Sequence, residues 1–323
     1  MCTAITFYVK DHYFGRNLDL EYQYNEAVTV TPRNFHLEFR CEKTIQSHYA
    51  IIGMAMVDQN YPLYYDATNE YGLSMAGLNF PGNAVYFLPT KGKCNITPFE
   101  FIPWILGQCR NTSEAIEILS KTNITNIPFH EKLPLTPLHW IISDHNNAIT
   151  VESTEDGMHI YENPIGVLTN NPPFPFHMTN LAQYMNITRD EPINRFSNQI
   201  VISPFSNGMG SIGLPVDLSS TSRFIRAAFV KLNSICESNE AASVNQFLHI
   251  LGSVSQQKGC VKLGNRYEKT IYSSCCNIDK GIYYYTTYEN SRITAINMHR
   301  ENLDGKNLSI YPLRPTSDIY WEN

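Results

Sequence analysis

Along the first third of the chain, apolar and polar positions alternate with a period of two, the signature of half-buried strands. MCTAITFYV sets Thr3, Ile5, Phe7 and Val9 against Cys2, Ala4, Thr6 and Tyr8. This predicts a strand over 2–9 and an N-terminus held in a sheet, where chain ends otherwise fray. YFGRNLD at 13–19 follows a Lys-Asp-His turn, then come EAVTVTP, YAIIGMAMV at 49–57 and a strand pair around Asn69-Glu70-Tyr71-Gly72. The period then changes. Thr97 before Pro98 predicts an N-cap and first-position pair for a helix through FEFIPWILGQC, and Asn111 with Glu114 caps a second, SEAIEILSK. Strands return at HWIISD and AITVES around His145-Asn146-Asn147, and at MHIYEN and IGVLTNN. Beyond Pro172 and Pro173, SRFIRAAFVKLNSIC and SVNQFLHILGSV read as helices, the second with Ser243 and Gln246 as a capping box. YEKTIYSSCCNI, GIYYYTTYE and RITAINMH, rich in Tyr, Thr and Ile, end the pattern as strands. Runs of strands alternating with runs of helices, without βαβ spacing, predict an α+β layered sandwich and not a doubly wound parallel sheet.

Composition narrows the function classes. Of 323 residues, 43% are hydrophobic and 17% charged, the balance of a folded globular chain, and the length alone leaves one or two domains open. The net charge of -6, with no Lys/Arg stripe, argues against nucleic acid as a partner. No apolar stretch approaches the roughly 18 residues of a membrane span, and no secretion signal opens the chain, so a cytoplasmic setting away from membrane is expected. In that reducing setting the eight cysteines are expected as free thiols.

Most candidate motifs fail on context. GMGSIG at 208–213 has the GxGxxG spacing of dinucleotide sites, but Leu214-Pro215-Val216-Asp217 follows where a helix should run, so a glycine loop is expected and no cofactor. There is no CxxC or HExxH, and the adjacent Cys275 and Cys276 point to opposite faces of a strand, so no metal site is expected. Cys2 is different. Removal of Met1 would give one residue both a thiol and a free α-amine, and the amine titrates near 8, so it can serve as general base at neutral pH. The residues alone leave Cys2 between this role and that of a small buried hydrophobe. Arg16 and Asp19 lie on the neighbouring strand three apart, hence on opposite faces unless a bulge re-aims one.

The segments MCTAI, FGRNLD, NEYGLSMAGLNF, LHWIISD, GVLTNNP, SRFIRAAF and KGIYYYTTYEN, in this order from Cys2 to about residue 313, resemble the choloylglycine hydrolase family, in particular its bile salt hydrolases. The resemblance implies an N-terminal nucleophile hydrolase fold, an αββα four-layer sandwich with two antiparallel sheets, as one domain over 1–323 with Met1 removed. It also implies a cytoplasmic homotetramer without metal or cofactor, acting on conjugated bile acids, the glycine or taurine amides. By position, Cys2 matches the nucleophile and Asp19 the acid that orients its amine. Arg16 and Arg223 match the arginines flanking the thiol, and Asn79 and Asn170 the oxyanion pair. The bland readings are turn asparagines and a solvated helix arginine. Asn171 and Val216 stand where many relatives have Ser and Gly, and Ser206-Asn207-Gly208 lacks the arginine that relatives preferring glycine conjugates often carry there. A penicillin V acylase is the nearest alternative, disfavoured because those relatives typically have Tyr where Asn79 sits. A bile-acid binding protein with an inert Cys2 is the alternative outside enzymes. YPLYYD, NFPGNAVYF and FEFIPW are candidate walls for an apolar sterol.

Overall fold

Strand alternation carries through into three-dimensional structure in a computed structural model of residues 1–323. In chain order the strands are β1 (Cys2–Tyr8), β2 (His12–Leu20), β3 (Ala27–Thr31), β4 (Ile51–Asp58), β5 (Tyr61–Asn69), β6 (Ser74–Asn79), β7 (Cys94–Ile96) and β8 (Thr122–Ile124). They continue with β9 (Leu138–Ser143), β10 (Ala148–Thr154), β11 (Gly157–Glu162), β12 (Val167–Leu168), β13 (Val261–Leu263), β14 (Arg266–Asn277), β15 (Ile282–Thr287), β16 (Thr294–Asn297) and β17 (Ser309–Pro312). The helices are α1 (Phe101–Leu106), α2 (Thr112–Leu119), α3 (Phe174–Asn180), α4 (Ser220–Asn233) and α5 (Glu240–Gly252).

Two antiparallel sheets result. One runs β12-β1-β2-β14-β15-β16 with β13 beside β14, the other β11-β10-β9-β6-β5-β4-β3-β17, and β7 and β8 form a small parallel pair. Apolar side chains of both sheets meet in one core, where Ala4, Phe14 and Leu18 pack with Val28, Ile52, Met54 and Ile141. Phe224, Val244, Phe247 and Leu251 of α4 and α5 cover the far side of the first sheet. On the far side of the second, Phe101, Ile105 and Ala115 of α1 and α2 pack with Ile51, Met75, Trp140 and Ile142. This is the αββα order.

Two local expectations differ. α1 begins at Phe101, not after Thr97, because the Glu100 carboxylate turns back to accept the N–H groups of Thr97 (3.0 Å) and Arg40 (2.5 Å) and closes a separate turn first. Ser243 lies inside α5, whose cap is Asn239, its side chain accepting from the Ala242 N–H at 2.9 Å. Asn111 does cap α2, accepting from the Glu114 N–H at 2.9 Å. In β2, Arg16 and Asp19 fall on opposite faces as their spacing predicts, with no bulge to re-aim either: the register shift lies in β14, between Thr270 and Tyr272. GMGSIG forms a loop with a single 3-10 turn in which Gly210 is buried, Gly208 taking the left-handed φ of 82° that favours glycine.

Candidate active site

β1 and β2 pair with Cys2 opposite Leu18 and Ala4 opposite Arg16, so these four side chains share one face of the sheet. Gly15 lets β14 close over β2, since a Cβ there would lie 2.1 Å from the Ser274 carbonyl oxygen. Arg16 is fully buried and crosses to the other sheet, donating to the carbonyls of Tyr65 (3.1 Å) and Gly77 (2.5 Å). Burial works against its charge, but the Cys2 thiol, Tyr272, Asp66 and Asp19 outweigh that and raise the guanidinium above its ordinary value.

Thr3, Asn17 and Asp19 look the opposite way, toward the α4/α5 layer, where Asn17 donates to the Leu251 carbonyl at 2.9 Å. Arg16 and Asp19 therefore occupy opposite faces and converge on one residue. Cys2 gives its thiol to the inter-sheet face, while its backbone nitrogen stands near the strand end, beside Asp19. Met1 extends the strand by one position: its amine donates to the Asp19 carbonyl and pairs with Glu268, and its carbonyl accepts the Asp19 N–H. Asp19 takes the Thr270 hydroxyl on Oδ1 at 2.6 Å, while its buried Oδ2 has no partner within the chain. Burial raises Asp19, against the pull of Arg223 and the N-terminal amine, and burial likewise raises Glu268.

Arg223 arrives from the first turn of α4, where the helix dipole opposes a cation. Four acceptors offset that: Leu218 O (3.0 Å), Cys2 O, Thr3 Oγ1 (2.7 Å) and Asn170 Oδ1 (2.7 Å). The residue is fully buried, so the reading as a solvated helix residue does not apply. Burial lowers its pKa, with Asp19 opposing. Asn170 follows β12 and joins the two halves: Oδ1 also accepts the Cys2 N–H at 2.9 Å, and Nδ2 donates to the Asn79 carbonyl at 2.7 Å. An amide nitrogen carries two hydrogens, so one remains for a substrate oxygen. Asn79 ends β6, with no partner within the chain for its buried Oδ1.

All six sequence-assigned residues thus meet around the N-terminus of β1. Cys2, Arg16 and Asn79 open into a pocket of about 600 Å³, lined mainly by apolar side chains that include Leu18, Leu20, Leu63, Phe99, Ile102, Leu135 and Trp140. YPLYYD contributes Leu63, Tyr64 and Tyr65, and FEFIPW contributes Phe99 and Ile102, but of NFPGNAVYF only Asn79 lines it. Tyr22, Tyr24 and the segment Lys132-Leu133-Pro134-Leu135-Thr136 line it as well and were not anticipated. Asn207 is exposed and outside the lining. Glu268, Thr270 and Ser220 also escaped the sequence reading, although Thr270 and Glu268 lie in the strand that pairs with FGRNLD.

The fold has counterparts among known proteins. A bile salt hydrolase/transferase of Lactiplantibacillus plantarum is 52% identical over the whole of both chains. The crystal structure of a mutant conjugated bile acid hydrolase from Clostridium perfringens superposes with a TM-score of 0.93 at 37% identity, covering 100% of both chains. A penicillin V acylase from Agrobacterium tumefaciens shares the fold, with a TM-score of 0.76 at 17% identity over 96% of this chain and 90% of that one. The sandwich is thus the N-terminal nucleophile hydrolase fold. Residues 2–311, from the candidate nucleophile to the last strand, match one family model throughout, and the chain belongs to the linear amide C–N hydrolases of the choloylglycine hydrolase family.

Proposed function

We propose that the protein hydrolyses the amide joining a bile acid to glycine or taurine, through a thioester on Cys2. The observation that carries this reading is the placement of Cys2: its thiol opens into an apolar pocket while its nitrogen is bound by Asn170 Oδ1. A volume of about 600 Å³ lies within the range of small-molecule sites. In this reading Met1 is removed, and the freed amine of Cys2, oriented by Asp19 Oδ2 and Asn170 Oδ1, takes the thiol proton. Sγ attacks the amide carbon, and the oxygen that becomes negative is met by Asn79 and by the second Nδ2 hydrogen of Asn170. Preorganised donors of this kind contribute on the order of 10² to 10³ in rate each. Collapse expels glycine or taurine, which takes the proton from the ammonium. Water, deprotonated by the same amine, then cleaves the thioester and releases the bile acid.

Both conjugates are expected as substrates, since no side chain of the Asn207 loop lines the pocket. Eight free cysteines suit a reducing cytoplasm. A homotetramer is supported by the stretch 193–216, where Ile193, Phe196, Val201, Phe205 and Val216 are each at least 70% exposed and so offer apolar side chains to a second copy. Assay of glycine and taurine release from a panel of conjugated bile acids, beside penicillin V, tests the reading. Release from the conjugates that vanishes in Cys2→Ala is expected, and cleavage of penicillin V alone would overturn it in favour of an acylase.

A further inference from the structure

Behind the oxyanion asparagines lies a buried acid–imidazole pair that the chemistry above does not use. His139 on β9 and Glu152 on β10 are both fully buried, with Nδ1 and Oε1 3.0 Å apart. On its other side His139 Nε2 lies 3.0 Å from the Thr169 carbonyl oxygen. That oxygen can only accept, so Nε2 carries a hydrogen, and a second proton sits between Nδ1 and Oε1. Glu152 Oε1 also accepts the N–H of Phe174 at 3.0 Å, which fixes the far end of the segment that holds Asn170. A second imidazole, His177, donates from Nε2 to the Asn170 carbonyl at 2.9 Å. The Asn170 N–H in turn donates to Ser220 Oγ at 2.8 Å.

The two peptide planes that flank Asn170 are therefore each pinned by an imidazole, and its backbone dihedrals follow from those planes. The same His139 ring stacks on Phe80, centroids 4.2 Å apart and planes within 4°, and Phe80 directly follows Asn79. Replacing a buried ion pair by apolar residues of equal volume is often neutral or stabilising, so stability alone is a weak reason for this one. We infer that His139, held by Glu152, is a positioning residue that braces both asparagines of the oxyanion site, through the Thr169 carbonyl on one side and the Phe80 ring on the other. The inference rests on the amide-hydrolase reading of that site. Its action is on the acyl-transfer transition state, where a misplaced donor is felt, and not on the reactivity of the Cys2 sulfur.

The full-length enzyme is assayed as wild type, His139→Leu, His139→Gln, Glu152→Gln and Cys2→Ala for kcat and KM on a glycine-conjugated bile acid. The rate of Cys2 alkylation by iodoacetamide is measured in parallel, because that displacement needs the thiol but no oxyanion donor. His139→Leu is expected to lose roughly 100-fold in kcat, the scale of one oxyanion donor, with KM and the alkylation rate each within about threefold. His139→Gln, whose amide N–H can reach the Thr169 carbonyl, is expected to recover about tenfold of that loss, and Glu152→Gln to fall between the two. Should His139→Leu fail to fold, the Gln variants carry the same comparison. Unchanged kcat in these variants, or kcat and alkylation falling together, would overturn the bracing role. Absence of glycine release by the wild type would instead overturn the amide-hydrolase reading.

Discussion

Replacing Arg223 by methionine keeps an unbranched apolar stem and removes the guanidinium and its charge from a fully buried position. Four acceptors lose their donor: the Leu218 and Cys2 carbonyls, Thr3 Oγ1 and Asn170 Oδ1. The Thr3 hydroxyl can turn to another partner, Asn170 Oδ1 keeps the Cys2 N–H and the Leu218 carbonyl keeps Gln256 Nε2 at 3.4 Å, so the Cys2 carbonyl is the oxygen left short. At about 1–3 kcal/mol for one buried polar group left unsatisfied, and about 1 kcal/mol for each of the two bonds lost where another donor remains, the loss is roughly 3–5 kcal/mol. That is a large part of the 5–15 kcal/mol typical of a folded domain. Arg223→Lys keeps the charge but offers donors from one point and not from a fork, so roughly half the loss is expected. Asn170 loses one of the bonds that orient its amide, so both variants should also lose on the order of 10² in kcat. Urea unfolding followed by tryptophan fluorescence orders the three proteins as wild type, Lys, Met. A methionine variant with the wild-type midpoint and slope would refute the view that this arginine ties α4 to the nucleophile strand.

His12 makes a pH prediction. It is buried, with neither ring nitrogen bonded, and burial, aided by the neighbouring His145 and Lys231 against Asp279 and Asp144, lowers it from 6.5 to about 4. Between these values the unfolded chain binds a proton that the folded one does not, so stability falls as pH drops from about 6.5 to about 4, by roughly 3 kcal/mol. His12→Leu should move the acid-unfolding midpoint to lower pH, and an unmoved midpoint would contradict the assignment. Among the thiols, Cys41 and Cys260 are exposed, whereas Cys109, Cys275 and Cys276 are buried, with burial pushing Cys109 and Cys276 up to about 12. Iodoacetamide should label Cys41 and Cys260 without effect on turnover and abolish it through Cys2. A Cys41→Ser/Cys260→Ser protein that resists inactivation would place the sensitive thiol elsewhere.

What the sequence conveyed follows from the range of its signals. Strand alternation is local, so β1, β2, β4 and the hairpins are visible from pattern alone. Helix starts are less secure because two chemistries share one pattern: Thr97 and Glu100 have the spacing of a capping box yet close a turn, and Ser243 with Gln246 has it inside a helix that Asn239 caps. Cys2 stood out by its position. Asp19, Asn79, Asn170 and Arg223 come from four separate stretches, and only resemblance to a family could join them. The His139–Glu152 pair was within reach of the residues themselves. Once the hairpin of β9 and β10 is drawn with Ser143 opposite Ala148, continuing the register sets His139 opposite Glu152. The pocket walls from 132–136, a stretch without regular structure, gave no periodic signal at all.

The central claim is that Cys2, with its own amine freed, carries the acyl group. Intact-mass measurement of the active enzyme, mixed with a glycine-conjugated bile acid and quenched in acid within the first turnover, tests it directly. The free enzyme should lack Met1, and the quenched enzyme should gain the mass of one bile acid less water, on the peptide that begins with Cys2. Full activity with Met1 retained, or the acyl group on any other residue, would contradict it.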